Sequence, residues 1–524
     1  MRNLLSVAIA AVVFFFVGGI ETSFSDLSVG QRRPIPEESG KIQSLTFAHY
    51  IRGILYDSED KVDQAIEEYL AARTLDDTAW AVHKRLAIDY LKSGQYEKAE
   101  EELLIVKRLR PDEKGVRKLL AYFYITQKKL SEASAEYEEL LKESPADLET
   151  LASLADLYVL QERLEEAIGI YQKLLKERPD TAQAHFNLGI IFTRIDKLAE
   201  AEVHFKKTLE VDPDYLQAEL ALALVSELNQ ELGQAIEHYQ NALKIDPLNI
   251  NVYHRLAQTY YRDKRIEDAV SQYEFILKLT AYDVDAYLGL AYIYLAEKKV
   301  SSCIEILEEA RRHKANWRKD GEKEAQVYLM LGLAYAQDEQ EERAIQAYES
   351  SIEAYPESGP GYFYLGAMYE RQGLRQKAYQ ALKKAVELND KNPDALNYLG
   401  YMYAEDGIKL DEAQELIKKA LEADPDNGAY IDSLGWVYFK KGKIEQALTE
   451  IERASNLLED AEIFEHLGDI YQVKGSLKKA GQAYERALEL EPERKSVQEK
   501  LEKLKRNGAF PGTNKKVRRK SQAD

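Results

Sequence analysis

One cysteine, Cys303, in 524 residues excludes an intramolecular disulfide and leaves neither a CxxC pair nor a Cys/His metal set. Proline is also scarce, at 13 residues, while 31% of the chain is charged and 35 residues are tyrosine. That balance favours long helices stacked on one another over a mixed α/β enzyme. Positive charge is in deficit: 71 basic against 91 acidic residues leave −20, which repels phosphate backbones and argues against nucleic acid as a partner. No histidine pair has the HExxH spacing, and GAFPGTNKK near the C-terminus lacks both the P-loop spacing and a preceding strand, so no cofactor or metal is expected.

An uncharged apolar run from Leu4 to Ile20, broken only by Ser6, follows Met1 and Arg2 and ends at Glu21 and Asp26. Residues 1–20 therefore read as an export signal, and at 17 residues the run suits either a signal peptide or a short membrane anchor. Ser23 and Ser25 would permit cleavage before Asp26, with a weaker site at Val17 and Gly19, so both fates stay open. No cysteine follows the run to accept lipid in the bacterial lipoprotein manner. The expected location is periplasmic, or anchored in the inner membrane with the bulk outside the cytoplasm; membrane contact is confined to residues 4–20 if they are retained. Residues 21–45, with Gly30, Pro34, Pro36 and Gly40, read as a flexible linker.

From residue 46 to residue 494 the sequence repeats thirteen times with a period of 34, and an insert lies at 311–324. Place 20 of each repeat is alanine (Ala65, Ala99, Ala133, Ala167 and onward to Ala480) except for Cys303 in repeat eight, so that thiol is expected buried and structural. Place 8 is always small: Gly53, Ala87, Ala121, Ala155, Gly189, Ala223, Ala257, Ala291, Gly332, Gly366, Gly400, Gly435 and Gly468. Two helices of a hairpin approach closely only across small side chains, so places 8 and 20 are expected to be the helix–helix contact. Large rings recur three places after the first small residue, as at Tyr90, Tyr124 and Tyr158, and four places after the alanine, as at Tyr69, Tyr171 and Tyr348. Prolines such as Pro111, Pro145 and Pro179 close the second helix. His49, His83 and His185 share place 4, and His204 and His238 share place 23, a periodicity that argues packing rather than catalysis.

This pattern, with leucines such as Leu86, Leu120 and Leu154 before the first small residue, resembles the tetratricopeptide repeat family across most of the chain. The resemblance implies an all-α, right-handed superhelical solenoid of thirteen hairpins whose first helices line a concave groove for protein or peptide partners. By that analogy the second, fifth, ninth and twelfth places of the first helix face the groove, and the fifth and ninth include Tyr50, Ile54, Lys84, Ile88, Lys118, Tyr122, Phe186, Ile190, Tyr292, Phe363, Tyr401 and Trp436. The family's carboxylate clamp of Lys and Asn four apart is not supported, since Lys84 is followed by Ile88 and Lys118 by Tyr122. The run DSLGWVYF at 432–439 makes the C-terminal block similar to exported bacterial repeat adaptors and envelope-assembly proteins.

The solenoid also needs closed ends. KSVQEKLEKLKR at 495–506 reads as a capping helix, and residues 507–524 as a basic disordered tail. The insert, with Arg311, Arg312, Lys314, Arg318 and Lys319, is either a docking patch, a hinge between eight repeats and five, or a longer second helix followed by a solvated loop. Neither flank of the array could fold a catalytic domain. The expected function is a non-catalytic interaction scaffold; its rival is a structural component of an envelope assembly or secretion complex, self-associating through its ends or through the insert.

Overall fold

Leucine-rich segments of about a dozen residues, each broken by a turn or a proline, fold as expected. The computed structural model describes residues 37–317 and 321–506, and among these there are 27 α-helices and no strand. Signal or anchor, basic tail, and Arg318 and Lys319 of the insert lie outside the described residues. Twenty-six helices make thirteen hairpins, from Glu37–Ser58 with Val62–Leu75 to Ala461–Val473 with Leu477–Leu490, and Lys495–Arg506 follows. The first helix starts at Glu37, so the linker expected over 21–45 gives way to helix in its last nine residues.

Contacts divide the chain into two units, ending and starting at Asp212 and Pro213, with five hairpins in the first and eight in the second. The division does not fall at the insert. Hairpins eight and nine share one apolar cluster that includes Tyr287, Cys303, Leu307, Trp317 and Leu331. Cys303 is fully buried in it, and burial pushes its thiol up to about 12. Trp317 donates its indole N–H to the Tyr282 carbonyl at 2.9 Å, pinning the insert to its own hairpin. The added residues do not lengthen the second helix of hairpin eight, which has 13 residues; they form a 3-10 turn and extend the next helix to 17.

The hairpin contact differs in one respect from the expectation. Space left by the small residue at place 8 is taken by the large side chain at place 24 rather than by the alanine at place 20 alone. A Cβ added to Gly53, Gly189, Gly332 or Gly468 would lie within 2.4 Å of a ring carbon of Tyr69, Phe205, Tyr348 or Tyr484. Leu382, Ile417 and Ile451 crowd Gly366, Gly400 and Gly435 in the same way, at 2.7 Å.

Turns within hairpins follow one plan. The third residue past each first helix returns its N–H to the carbonyl at place 11, as Gln95 does to Tyr90 at 2.8 Å and Arg265 to Tyr260 at 2.9 Å. Such a cap needs a left-handed residue just before. Glycine supplies it at Gly94, Gly373, Gly407, Gly442 and Gly475, but Asp60, Lys128, Glu162, Asp196, Gln230, Lys264, Lys298 and Glu339 adopt it despite their Cβ atoms. Cations lie over the ring at place 11, with Arg163 4.1 Å from Tyr158 and Arg343 4.0 Å from Tyr335.

At the C-terminus Val497, Leu501 and Leu504 are buried on the last hairpin, and Lys500 pairs with Glu465 at 2.8 Å and Asp469 at 2.7 Å. This end is capped. The first helix instead exposes Phe47, Ile51 and Leu55, which share one face at a spacing of four.

Two substitutions separate the effects. Gly332→Leu should cost about 1–3 kcal/mol by forcing Tyr348 from its slot, whereas Lys264→Gly should add about 1 kcal/mol by relieving a left-handed Cβ. Thermal or urea unfolding of the two variants checks both signs.

Candidate binding recess

In the second unit the first helices of four successive hairpins, Gly359–Arg371, Pro393–Glu405, Gly428–Lys440 and Ala461–Val473, line a recess of about 490 Å³. Places 5, 9 and 13 of the second of these helices, Asn397, Tyr401 and Glu405, all line it, one turn apart on one face. Five carboxylates reach it, from Glu370, Glu405, Asp432, Asp460 and Glu462, against one guanidinium, Arg375, which spans Glu370 at 3.7 Å and Asp406 at 3.3 Å.

Behind the recess lies a buried ion pair. His466 Nδ1 sits 3.0 and 3.1 Å from the two oxygens of Asp432, and both residues are about 5% exposed. Burial opposes charge on the imidazole, yet the Asp432 carboxylate outweighs it and the pKa of His466 is raised. Trp436 stacks on the imidazole at 3.8 Å with its plane tilted by 16° and donates its indole N–H to Glu405. Tyr401 donates to Glu462; burial first, then the charges of Glu462, Glu405 and Asp432, hold its phenol far above the usual range. Asn397 Oδ1 is buried here without a hydrogen-bond partner. One unpartnered acceptor and an excess of carboxylates over cations make the recess a receptor for donor groups.

An Asp–His pair invites comparison with a hydrolytic triad, which also needs a nucleophile on the imidazole. Ser433 donates to the Ala429 carbonyl at 2.9 Å instead, and no hydroxyl or thiol among the described residues is bonded to His466. No group of three His, Cys, Asp or Glu among the described residues could hold a metal ion.

The expected groove residues divide into four sets. Tyr401 lines the recess, and Phe363 stands edge-on to Tyr398, another lining residue, at 6.0 Å. Trp436 and Phe186 are corrected: at 6% and 4% exposure they are packing residues, Phe186 against Phe205 at 5.6 Å. Tyr50 and Ile54 are half-buried in the first cluster, and Ile190 is half-buried as well. Tyr122 and Tyr292 are exposed, while Lys84 is 3.6 Å from Glu113 and Lys118 donates to Glu149. In the insert Arg311 pairs with Glu308 at 2.6 Å and Lys314 approaches Glu324 at 3.9 Å, while Arg312 is exposed. Sequence reasoning missed Asn397, Glu405, Asp432, Glu462 and His466. The signal was available, since Asn397 and Asp432 hold place 5 and Glu462 place 2, but only cations and large apolar side chains were sought there.

Models of tetratricopeptide repeats match residues 84–147, 124–187 and 228–264, and a model of the C-terminal domain of cilia and flagella-associated protein 70, itself a repeat domain, matches 278–504. The chain belongs to the tetratricopeptide repeat family. This repeat protein is 24% identical over 144 residues to a TPR repeat-containing protein of Pseudomonas aeruginosa, a match covering 28% of the chain and 24% of that relative. It thus spans about a quarter of the length of the curated relative it matches. Among solved structures, Cut9–Hcn1 of an APC/C hetero-tetramer is similar at 15% identity over 90% of this chain and 96% of that one, with a TM-score of 0.41. Yeast Tom70 is similar at 15% identity over 88% and 99%, with a TM-score of 0.38.

Asp432→Asn should leave His466 buried without its counter-charge and cost about 3 kcal/mol. Hydrogen exchange should show the loss in the hairpins carrying Trp436 and His466; unchanged protection there would contradict a structural role for the pair.

Proposed function

We propose that this repeat protein is a non-catalytic scaffold that holds an extended segment of a protein partner against the first helices of hairpins ten to thirteen. The observation carrying this reading is the recess itself, with its ring of carboxylates, the Tyr398 and Tyr401 rings and the bare Asn397 oxygen. A backbone N–H of the segment donates to the Asn397 oxygen, its basic side chains meet the excess of carboxylates, and the rings supply apolar contact. The partner is a protein, since −20 net charge disfavours nucleic acid.

Its place of action is proposed to be the cell envelope, outside the cytoplasm, as a periplasmic protein or one anchored by residues 4–20. Support comes from the apolar run Leu4–Ile20. No helix among the described residues is long and apolar enough to cross a membrane.

A second reading, self-assembly through the array ends, is favoured by the exposed face of Phe47, Ile51 and Leu55. Crosslinking in native cells followed by mass spectrometry distinguishes the two. Capture of one dominant envelope protein, lost in Glu405→Gln/Glu462→Gln and kept in Phe47→Asp/Ile51→Asp, supports the scaffold. Capture of the chain's own copies, lost only in the second variant, supports assembly, and the N-terminal residue of the purified protein reports whether the leader is cut.

A further inference from the structure

In hairpins one, two, three and six, places 4 and 23 face each other across the hairpin and form an acid–base lock. His49 Nδ1 is 2.6 Å from Glu68, His83 is bonded to Glu102, and Arg117 is 3.2 Å from Glu136. Hairpin six carries the same lock reversed, with Glu219 2.6 Å from His238. Hairpin five, Ala182–Arg194 with Leu198–Val211, has a base at both places: His185 Nδ1 and His204 Nδ1 are 3.1 Å apart. The acid is missing there.

Hydrogen bonds assign the tautomers. His185 Nε2 is 3.0 Å from the Pro179 carbonyl, which only accepts, so that nitrogen carries hydrogen and His185 Nδ1 is bare. His204 Nδ1 must therefore donate to it, leaving His204 Nε2 as the one ring nitrogen of the pair without a partner. A recess of about 440 Å³ opens at this pair, between the second helix of hairpin four, Leu164–Glu177, and hairpin five. Lys176 faces it from hairpin four, and Lys207 and Glu210 from the second helix of hairpin five. Among the described residues neither lysine is in an ion pair, and four basic groups, His185, His204, Lys176 and Lys207, stand against one carboxylate.

We propose that this recess is an oxyanion site, in which a phosphate-type or carboxylate group takes the position of the missing acid, accepts from protonated His204 Nε2 and is flanked by Lys176 and Lys207. In the free protein both rings are held neutral: burial lowers His185, and burial, then His185 and Lys207, bring His204 down to about 4. The bound anion reverses this for His204, so binding takes up a proton. Below the ordinary imidazole value near 6.5 the unfolded chain protonates first, so hairpin five without an anion loses stability as pH falls from about 6.5 towards 4. Glu210 opposes the anion but faces the recess alone against the bases.

Full-length protein labelled with 15N-histidine tests the site by titration with sodium sulfate, which keeps its double charge between pH 6.0 and 7.5, at constant ionic strength. The site requires saturable shifts of the His185 and His204 rings, tightening about tenfold for each unit of falling pH. His204→Glu restores the lock and should abolish the response while raising the thermal midpoint at pH 7; His204→Gln, neutral and close in shape, should also abolish it. The same shifts with sodium acetate extend the site to carboxylates, and shifts with sulfate alone confine it to tetrahedral oxyanions. Absence of saturable shifts with either salt at pH 6.0, or an unchanged response in both variants, overturns the proposal.

Discussion

Two helices of a hairpin can close only as far as the side chains between them allow, and in this chain that distance is set at place 8. With glycine or alanine there, the large residue at place 24 slides over the backbone of the first helix, as Tyr348 does over Gly332. Register follows from that contact. Once place 24 is seated, places 4 and 23 face each other, the carbonyl at place 11 receives the N–H that ends the first helix, and places 5 and 9 are left on one face. Cap and recess, and the lock in the four hairpins that carry an acid and a base, are consequences of one approach distance repeated thirteen times.

Much of this was legible because it is periodic. The period gave the hairpin count, the buried thiol of Cys303 at an alanine place and the capping helix at 495–506, each recognisable from the same chemistry recurring at the same place. What was not legible is what varies between repeats. Phe186 and Trp436 hold groove places, yet Phe205 and His466 cover them, and a neighbour that covers a ring is not written in the ring's own repeat. The acidic recess was hidden likewise, because Glu370, Glu405, Asp432 and Glu462 belong to four hairpins and converge only when these stack. In the insert the surplus residues went to the following helix, since Trp317 found cover against the Tyr282 carbonyl.

Departures from the repeat are also where specific chemistry gathers. His466 is at place 6, outside the periodic histidines, and is the one whose pKa a buried aspartate raises. Hairpin five sets two bases at the places where hairpins one, two, three and six set a base and an acid, and a recess opens beside them. A scaffold built from identical packing units can vary such places freely, because each hairpin depends on itself and its neighbours rather than on a single core.

That locality is the central claim, and Ala167→Leu tests it most directly. Ala167 is fully buried at place 20 of hairpin four, so the larger side chain should overpack it by about 1–3 kcal/mol. Native-state hydrogen exchange along the whole chain should then show lost protection in hairpin four, less in hairpins three and five, and none in hairpins ten to thirteen. A uniform loss from end to end would contradict the account.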